Sequence, residues 1–151
     1  MNVTWLAKHF SELTTVELYD ILQLRTDVFV VEQQCIFQDL DNKDQACFHL
    51  WAEDEDRKIL ACTRIVPGGI SYAEASIGRV ATARNARGTG LGRELMKNSI
   101  TYLEELYGKV DIKIGAQLYL KEFYSSFGFI QSSDIYDEDG IDHIEMHRAS
   151  A

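Results

Sequence analysis

A short run of glycines between arginines is the part of this sequence whose residue types and spacing could do chemistry. The run is Arg87-Gly88-Thr89-Gly90-Leu91-Gly92-Arg93. A helix N-terminus carries unpaired backbone N–H groups and a partial positive charge, and glycines let a ligand approach that backbone closely. The flanking arginines add positive charge. The run therefore predicts a loop that binds a phosphate or pyrophosphate.

Two other phosphate-binding loops do not fit this spacing. The P-loop pattern, GxxxxGK followed by Ser or Thr, is absent from the sequence. The dinucleotide-binding pattern GxGxxG fails because Arg93 stands where the third glycine should follow Gly88 and Gly90. Asp111 lies about 20 residues further on, but it begins a predicted strand instead of ending one. A glycine-rich turn that only packs a helix against a sheet stays open as the alternative.

The segments around the run predict the elements that must position it. Hydrophobic spacing predicts a strand over residues 75–82 before the loop and a helix from Leu91 to about Gly108 after it. A first helix is predicted over residues 15–30, with Thr14 as N-cap and Glu17 completing a capping box. A short helix over residues 118–127 and strands over residues 3–6, 47–52, 59–66, 110–114, 129–136 and 142–148 complete the chain.

The order of these elements predicts the fold class. It reads β-α-β-β-β-α-β-α-β-β, which indicates one α/β domain over residues 1–151 with a mixed, mostly antiparallel sheet and helices on both faces. The helix between residues 75–82 and 110–116 makes a crossover connection, so these two segments should be neighbouring parallel strands beside the cleft. Asp139-Gly140 should form a hairpin turn.

Composition and charge narrow the class of protein. The net charge of −9 argues against a nucleic-acid partner, and no apolar run is long enough to span a membrane. Cys35, Cys47 and Cys62 lack the spacing of a disulfide framework or zinc site, and residues 1–10 do not have the basic and apolar regions expected of a secretory signal. We expect a cytoplasmic protein without a membrane partner, and we leave monomer and homodimer open.

No metal site is predicted. Residues 39–44 resemble the start of a calcium loop, but Lys43 and Asp44 occupy the positions that need an oxygen ligand and a glycine. His143 and His147 are four residues apart on a predicted strand, where their side chains do not converge as they would on a helix.

Two segments carry a resemblance to a known family. Residues 77–92 resemble motif A of the GCN5-related N-acetyltransferase (GNAT) family, whose core (Q/R)-x-x-G-x-(G/A) is matched by Arg87, Gly90 and Gly92. Residues 120–129 resemble motif B, a helix that ends in FY-x-x-x-GF. Residues 24–33 and 136–144 resemble the ElaA-type branch. Ala83 is a departure, because many members have proline there, and it should alter loop rigidity more than binding.

The resemblance implies acetyl-coenzyme A (acetyl-CoA) as co-substrate and direct transfer of its acetyl group to an amine of unknown identity. The loop backbone would bind the CoA pyrophosphate, and the strand before it would pair with the pantetheine arm. The implied cofactor-binding residues are Val80, Ala81, Thr82, Arg87, Gly88, Thr89, Gly90, Leu91, Gly92 and Arg93.

Acetyl transfer also needs proton transfer. The resemblance implies that Tyr124 protonates the leaving thiolate, whereas a tyrosine that only packs beside Phe123 and Phe127 is the alternative. The candidates for binding the acceptor and accepting its proton are Glu32, Asp41, His49 and His143, and a water relay stays open. A non-catalytic acyl-CoA-binding module and an enzyme that uses another acyl chain or an O-acceptor are the competing functions.

Overall fold

Two antiparallel sheets form the framework of the structure, a computed structural model that describes residues 2–150. The first sheet contains β1 (Thr4–His9), β2 (Phe48–Glu53), β3 (Ile59–Val66) and β4 (Ser76–Thr82), in chain order. In the second sheet, β8 (Ile141–Arg148) is central. It pairs with β5 (Ile112–Gln117) along one edge and with β6 (Ile130–Gln131) and β7 (Tyr136–Glu138) along the other.

Three α-helices accompany the sheets. The first, α1 (Thr15–Thr26), begins with the predicted capping box, in which Thr14 and Glu17 each accept a backbone N–H from the other, and it continues as a π-helical turn (Asp27–Glu32). The second, α2 (Leu91–Tyr107), follows the glycine loop. A short α3 (Lys121–Ser125) follows β5 through one 3-10 turn. Because α1 and α2 pack on opposite faces of the first sheet, both faces are covered, as predicted.

The two sheets meet at β4 and β5. Ala75 and Ile112 form an isolated parallel bridge, and the Lys113 N–H donates to the Ala75 carbonyl at 3.0 Å. The strands are therefore parallel neighbours, as predicted, but their pairing is shorter than expected and they continue in separate sheets. A bulge in β4 accounts for the divergence, because two residues, Arg79 and Val80, stand opposite Thr63 alone. The gap between the diverging strands forms a cleft.

The remaining expectations hold with local changes. The fold class is confirmed, and Asp139-Gly140 forms the predicted turn with φ of +53° and +83°. The strand predicted over residues 129–136 is instead split into β6 and β7. Its middle leaves regular pairing because the Ser133 hydroxyl accepts the Glu145 N–H at 2.8 Å, so a side chain takes the place of a backbone partner.

Candidate active site

The cleft between β4 and β5 has a volume of about 700 Å³. The π-helical turn, α3 and the β7–β8 hairpin close its sides. Its walls combine the glycine loop at one end with aromatic and polar side chains at the other. Among the lining residues are Phe29, Glu32, Gln33, Cys35, Phe37, Val80, Thr82, Arg87, Gly88, Gly92, Gly115, Gln117, Tyr124, Glu138 and His143.

The glycine loop has the backbone that its composition predicts. Gly88 and Gly90 have φ of +77° and +84°, a region that side chains with a Cβ rarely adopt. Nothing lies within 4 Å of a Cβ built at either position, so the loop backbone faces open space. Gly90 is also the N-cap of α2. The loop thus leaves room for a pyrophosphate beside unpaired N–H groups at the helix N-terminus.

Arg87 joins this loop to the π-helical turn. Its guanidinium donates to the Thr82 carbonyl at 2.9 and 3.1 Å and forms a two-pronged ion pair with Glu32, one contact of which is 3.0 Å. The hydrogen bond from Arg87 holds the pKa of Glu32 below its usual value. Glu32 is therefore a carboxylate at neutral pH. Because this carboxylate has a low affinity for a proton, it is a weak candidate for a general base.

The other expected cofactor-binding residues differ in orientation. Val80 and Thr82 line the cleft, whereas Ala81 and Leu91 are buried in the core, so only their backbone could contact a ligand. The Thr89 hydroxyl donates to the Ala86 carbonyl at 2.7 Å. Arg93 donates to Ser126 at 3.0 Å and lies over the Phe127 ring, so it connects α2 with the end of α3.

Tyr124 lies in α3, lines the cleft and is only 6% exposed. The rings of Phe123 and Phe129 pack edge-on against it, with centroids 5.2 and 6.2 Å away. Within residues 2–150 its hydroxyl has no hydrogen-bond partner. Burial raises the pKa of Tyr124 well above its ordinary value. The tyrosine is therefore protonated throughout the physiological range, with its proton free for a bound molecule.

Of the four expected acceptor-side residues, Glu32 and His143 reach the cleft. The His143 Nδ1 is 2.8 Å from the Ile141 carbonyl and its Nε2 is 3.2 Å from Glu138. His49 is buried away from the cleft, 3.1 Å from the Asp44 carbonyl, and burial lowers its pKa. Asp41 also lies outside the cleft. Burial alone would raise the pKa of Asp41, but its hydrogen bonds with Arg64 hold that pKa far below the usual value.

Sequence reasoning missed two groups of residues. Gln33 and Gln117 exchange amide hydrogen bonds of 3.3 and 3.4 Å across the cleft, and nothing in two glutamines 84 residues apart predicts this. A buried ionic network also went unpredicted, although Arg25 on the apolar side of α1 was a signal for it. Its members are Arg25, Asp39, Asp41, Asp44, Arg64 and Arg79.

Within residues 2–150, no three His, Cys, Asp or Glu side chains are grouped so that they could hold a metal ion. Over the same range, every helix is too short or too polar to cross a bilayer.

Comparison with known proteins identifies the family. The family model described as an acetyltransferase (GNAT) domain matches residues 18–150. Protein ElaA of Escherichia coli is 39% identical over 150 residues, which cover 97% of this chain and 96% of ElaA. The crystal structure of ElaA has a TM-score of 0.91 and 37% identity, covering 97% and 99% of the two chains. An acyl-CoA N-acyltransferase from Pseudomonas aeruginosa has a TM-score of 0.93 and 39% identity, covering 98% and 100%.

These matches span nearly the whole chain and both motifs. Family membership gives the general activity, so the protein is an acyltransferase that uses a CoA-linked donor. The motif interpretation of the sequence is confirmed at the level of family and branch. The chain belongs to the GNAT family and, within it, to the ElaA-type branch.

Proposed function

We propose that this protein is an N-acetyltransferase that transfers the acetyl group of acetyl-CoA directly to an amine. The observation that carries the proposal is the position of Tyr124, whose hydroxyl has no hydrogen-bond partner in the described part of the chain and lines the same cleft as the open glycine loop. A module that only bound acyl-CoA would have no use for a proton donor in this cleft. The three cysteines are free and buried, which fits the reducing cytoplasm that we propose as its location.

The proposed binding mode follows the cleft. The backbone N–H groups of residues 88–92 and the N-terminus of α2 bind the pyrophosphate, because they are unpaired and carry a partial positive charge. The pantetheine arm lies along Val80 and Thr82 on the exposed edge of β4, where it can pair as an added strand. This orientation directs the thioester toward Tyr124, and the acceptor enters from the side of Glu138 and His143.

The proposed reaction is direct attack. The amine must first lose a proton, which costs about 5 kcal/mol at pH 7 for a pKa near 10.4. Its nitrogen then forms a bond to the thioester carbon, and the carbonyl electrons move to oxygen. When the carbonyl reforms, the C–S bond breaks and sulfur receives the proton of the Tyr124 hydroxyl. The new amide loses its extra proton to water or to His143, and solvent restores the proton of Tyr124.

The raised pKa of Tyr124 makes its hydroxyl a weaker acid but keeps its proton in place until the thiolate forms. A tyrosinate in apolar surroundings is costly, so Tyr124 shares its proton with the thiolate as the charge forms instead of ionising beforehand. The same surroundings destabilise an unprotonated thiolate, which raises the basicity of the sulfur. Because a raised pKa keeps the acid form present as pH increases, deprotonation of Tyr124 should not limit turnover between pH 7 and about 9.

A panel of amines with acetyl-CoA, followed by Tyr124→Phe, tests the proposal. At least one amine should be acetylated, and Tyr124→Phe should lower kcat by about 10²–10⁴-fold with acetyl-CoA binding nearly unchanged. Tyr107→Phe is a matched control, because Tyr107 packs at the far end of α2. Wild-type kcat in a folded Tyr124→Phe protein, with chemistry limiting, would make Tyr124 a packing residue. Acetyl-CoA binding without turnover of any amine would favour the binding module.

A further inference from the structure

A largely buried ionic network lies beside the cleft, and none of its side chains was given a role in the reaction proposed above. It joins three arginines on regular elements to three aspartates on the connection before β2. Arg25 lies in α1, Arg64 in β3 and Arg79 in β4, and the aspartates are Asp39, Asp41 and Asp44. Arg25 and Asp39 are only 1% and 7% exposed. Three positive and three negative charges balance, so the network carries no net charge into the interior.

Arg79 is the member of this network that reaches the cleft. Its φ is +48°, a left-handed conformation that is costly for any residue with a Cβ. It is the first of the two β4 residues that oppose Thr63 in the bulge. The strained residue is therefore the first residue of the bulge, and it stands directly before Val80, the second.

The contacts of Arg79 come from the aspartates. Its Nε lies 2.7 Å from Asp39 Oδ1, and its Nη2 donates to the Asp39 carbonyl at 3.0 Å. Asp41 is 3.4 Å from the same Nη2. The Nε–Oδ1 contact lacks the direction of a hydrogen bond, so its attraction is ionic. The Phe37 ring, which lines the cleft, lies 5.8 Å from the Arg79 guanidinium.

The aspartates are themselves held by the other two arginines. Arg25 donates to Asp39 at 2.9 Å and to Asp44 at 2.7 Å, while Arg64 contacts Asp41 at 2.6 Å. The partners of Arg79 are thus attached to both α1 and β3. Replacing a buried ion pair with apolar residues is often neutral or stabilising, so stability alone does not explain the network. Such contacts can instead fix the positions of the residues that they join. Here they join Arg79, in the bulge, to Asp39 and Asp41.

We propose that Arg79 is a positioning residue for acetyl transfer. Its ion pairs with Asp39 and Asp41 hold residue 79 in the left-handed conformation, which keeps the bulge in place. Val80 lines the cleft, and we infer that its N–H turns out of the strand ladder at this bulge and donates to the carbonyl oxygen of the bound acetyl group. The identity of that carbonyl rests on the proposed function, whereas the coupling of residue 79 to Val80 does not.

The first test observes the Val80 amide by ¹⁵N NMR in protein saturated with CoA or with acetyl-CoA. The two ligands differ by the acetyl group, so the Val80 resonance should differ between them in the wild type. The difference should disappear in Arg79→Ala and persist in Arg57→Ala. Arg57 is a matched control because it also has a positive φ, +61°, but lies exposed in the β2–β3 turn. A wild-type Val80 amide that does not distinguish the two ligands would overturn the proposal.

The second test uses kinetics with an amine from the panel. Arg79→Ala should lower kcat by about 10- to 100-fold, because a misplaced donor loses most of its stabilisation of the oxyanion. The KM for the amine and the Kd for CoA should stay within about twofold, because the donor acts mainly in the transition state. Arg79→Lys keeps the charge beside Asp39 and should recover part of kcat. Equal kcat in the Lys and Ala variants, or wild-type kcat in Arg79→Ala, would contradict the positioning role.

The two proposals fail in different ways. If the Val80 amide distinguishes acetyl-CoA from CoA only while Arg79 is present and no amine is acetylated, the coupling of residue 79 to Val80 stands and N-acetyl transfer fails. If amines are acetylated and the Val80 amide resonance is the same with CoA and acetyl-CoA, N-acetyl transfer stands and the positioning role of Arg79 fails. If Arg79→Ala does not fold, two measurements still test the proposal. They are the Val80 resonance of the wild type with CoA and with acetyl-CoA, and the kcat of Arg79→Lys.

Discussion

Gly90 offers a direct test of where the pyrophosphate binds, because one substitution changes charge there without disturbing the fold. Gly90→Asp should fold, since nothing lies within 4 Å of the new Cβ and aspartate tolerates a φ of +84° better than most residues. Its carboxylate would lie roughly 5 Å from a pyrophosphate with about two negative charges, which gives a repulsion of about 1.7 kcal/mol at the dielectric constant of water. That energy corresponds to about 20-fold weaker CoA binding, and a lower effective dielectric in the cleft makes the loss larger.

Gly90→Asn is the matched control, because asparagine has nearly the same shape, tolerates the same backbone and carries no charge. Calorimetry should find that Gly90→Asp binds CoA at least about 20-fold more weakly than Gly90→Asn at low salt, with a smaller gap at high salt because ions screen the repulsion. Near-UV circular dichroism checks that both variants fold. Equal affinities of the two variants would refute the assignment of the pyrophosphate to this loop.

Three further substitutions test the structure around the cleft. Glu32→Gln should tighten CoA binding by up to about fivefold in calorimetry, because it frees Arg87 from a partly exposed ion pair, and such pairs are worth about 0.2–1 kcal/mol. Weaker binding would mean that Glu32 orients Arg87 for the ligand. Gly115→Ala should cost no more than about 1 kcal/mol in denaturant unfolding, because its Cβ would be 2.9 Å from the Tyr72 hydroxyl and 3.2 Å from the Tyr136 hydroxyl but both are side-chain ends that can shift, and Tyr72→Phe should recover part of that loss. His49 has a folded pKa below 6.5, so the stability that it contributes is present above that pH and is lost as pH falls below it. His49→Gln should therefore reduce the fall in unfolding free energy between pH 6.5 and 5, and an unchanged slope would contradict this.

The elements could be predicted because their signals are local. The capping box of Thr14 and Glu17 lies within four residues, and the apolar stripe of α2 lies within its own length. The glycine loop is local as well, since the positive φ values of Gly88 and Gly90 follow from residue type. Where the prediction was wrong in detail, as in the split of the strand over residues 129–136, a side chain had replaced a backbone partner across the sheet.

Candidate site residues were harder to choose, because burial and orientation are properties of the whole fold. His49 and His143 look alike in the sequence, yet one is enclosed beside a carbonyl and the other lines the cleft. Because side chains alternate along a strand, Val80 and Ala81 point to opposite faces of β4. Which of the two faces the cleft depends on the bulge, and the bulge depends on the pairing with β3. Residue type could identify these candidates, but only the sheet register could show which of them face the cleft.

The ionic network shows why one part of the site escaped prediction. Arg25 interrupts an apolar helix face, which indicates a buried partner but does not say which one. Asp39 and Asp41 form part of a polar connection that reads as an ordinary surface loop, and their partner Arg79 lies about 40 residues further on at a bulge that no local pattern marks. Asp41 accepts one local backbone N–H, from Lys43 at 3.1 Å, and the other contacts that hold these two carboxylates come from distant arginines. Because the same contacts hold both that connection, with Phe37 on the cleft wall, and the residue before Val80, a change at the Phe37 wall and a change in the backbone at Val80 should be coupled through Arg79.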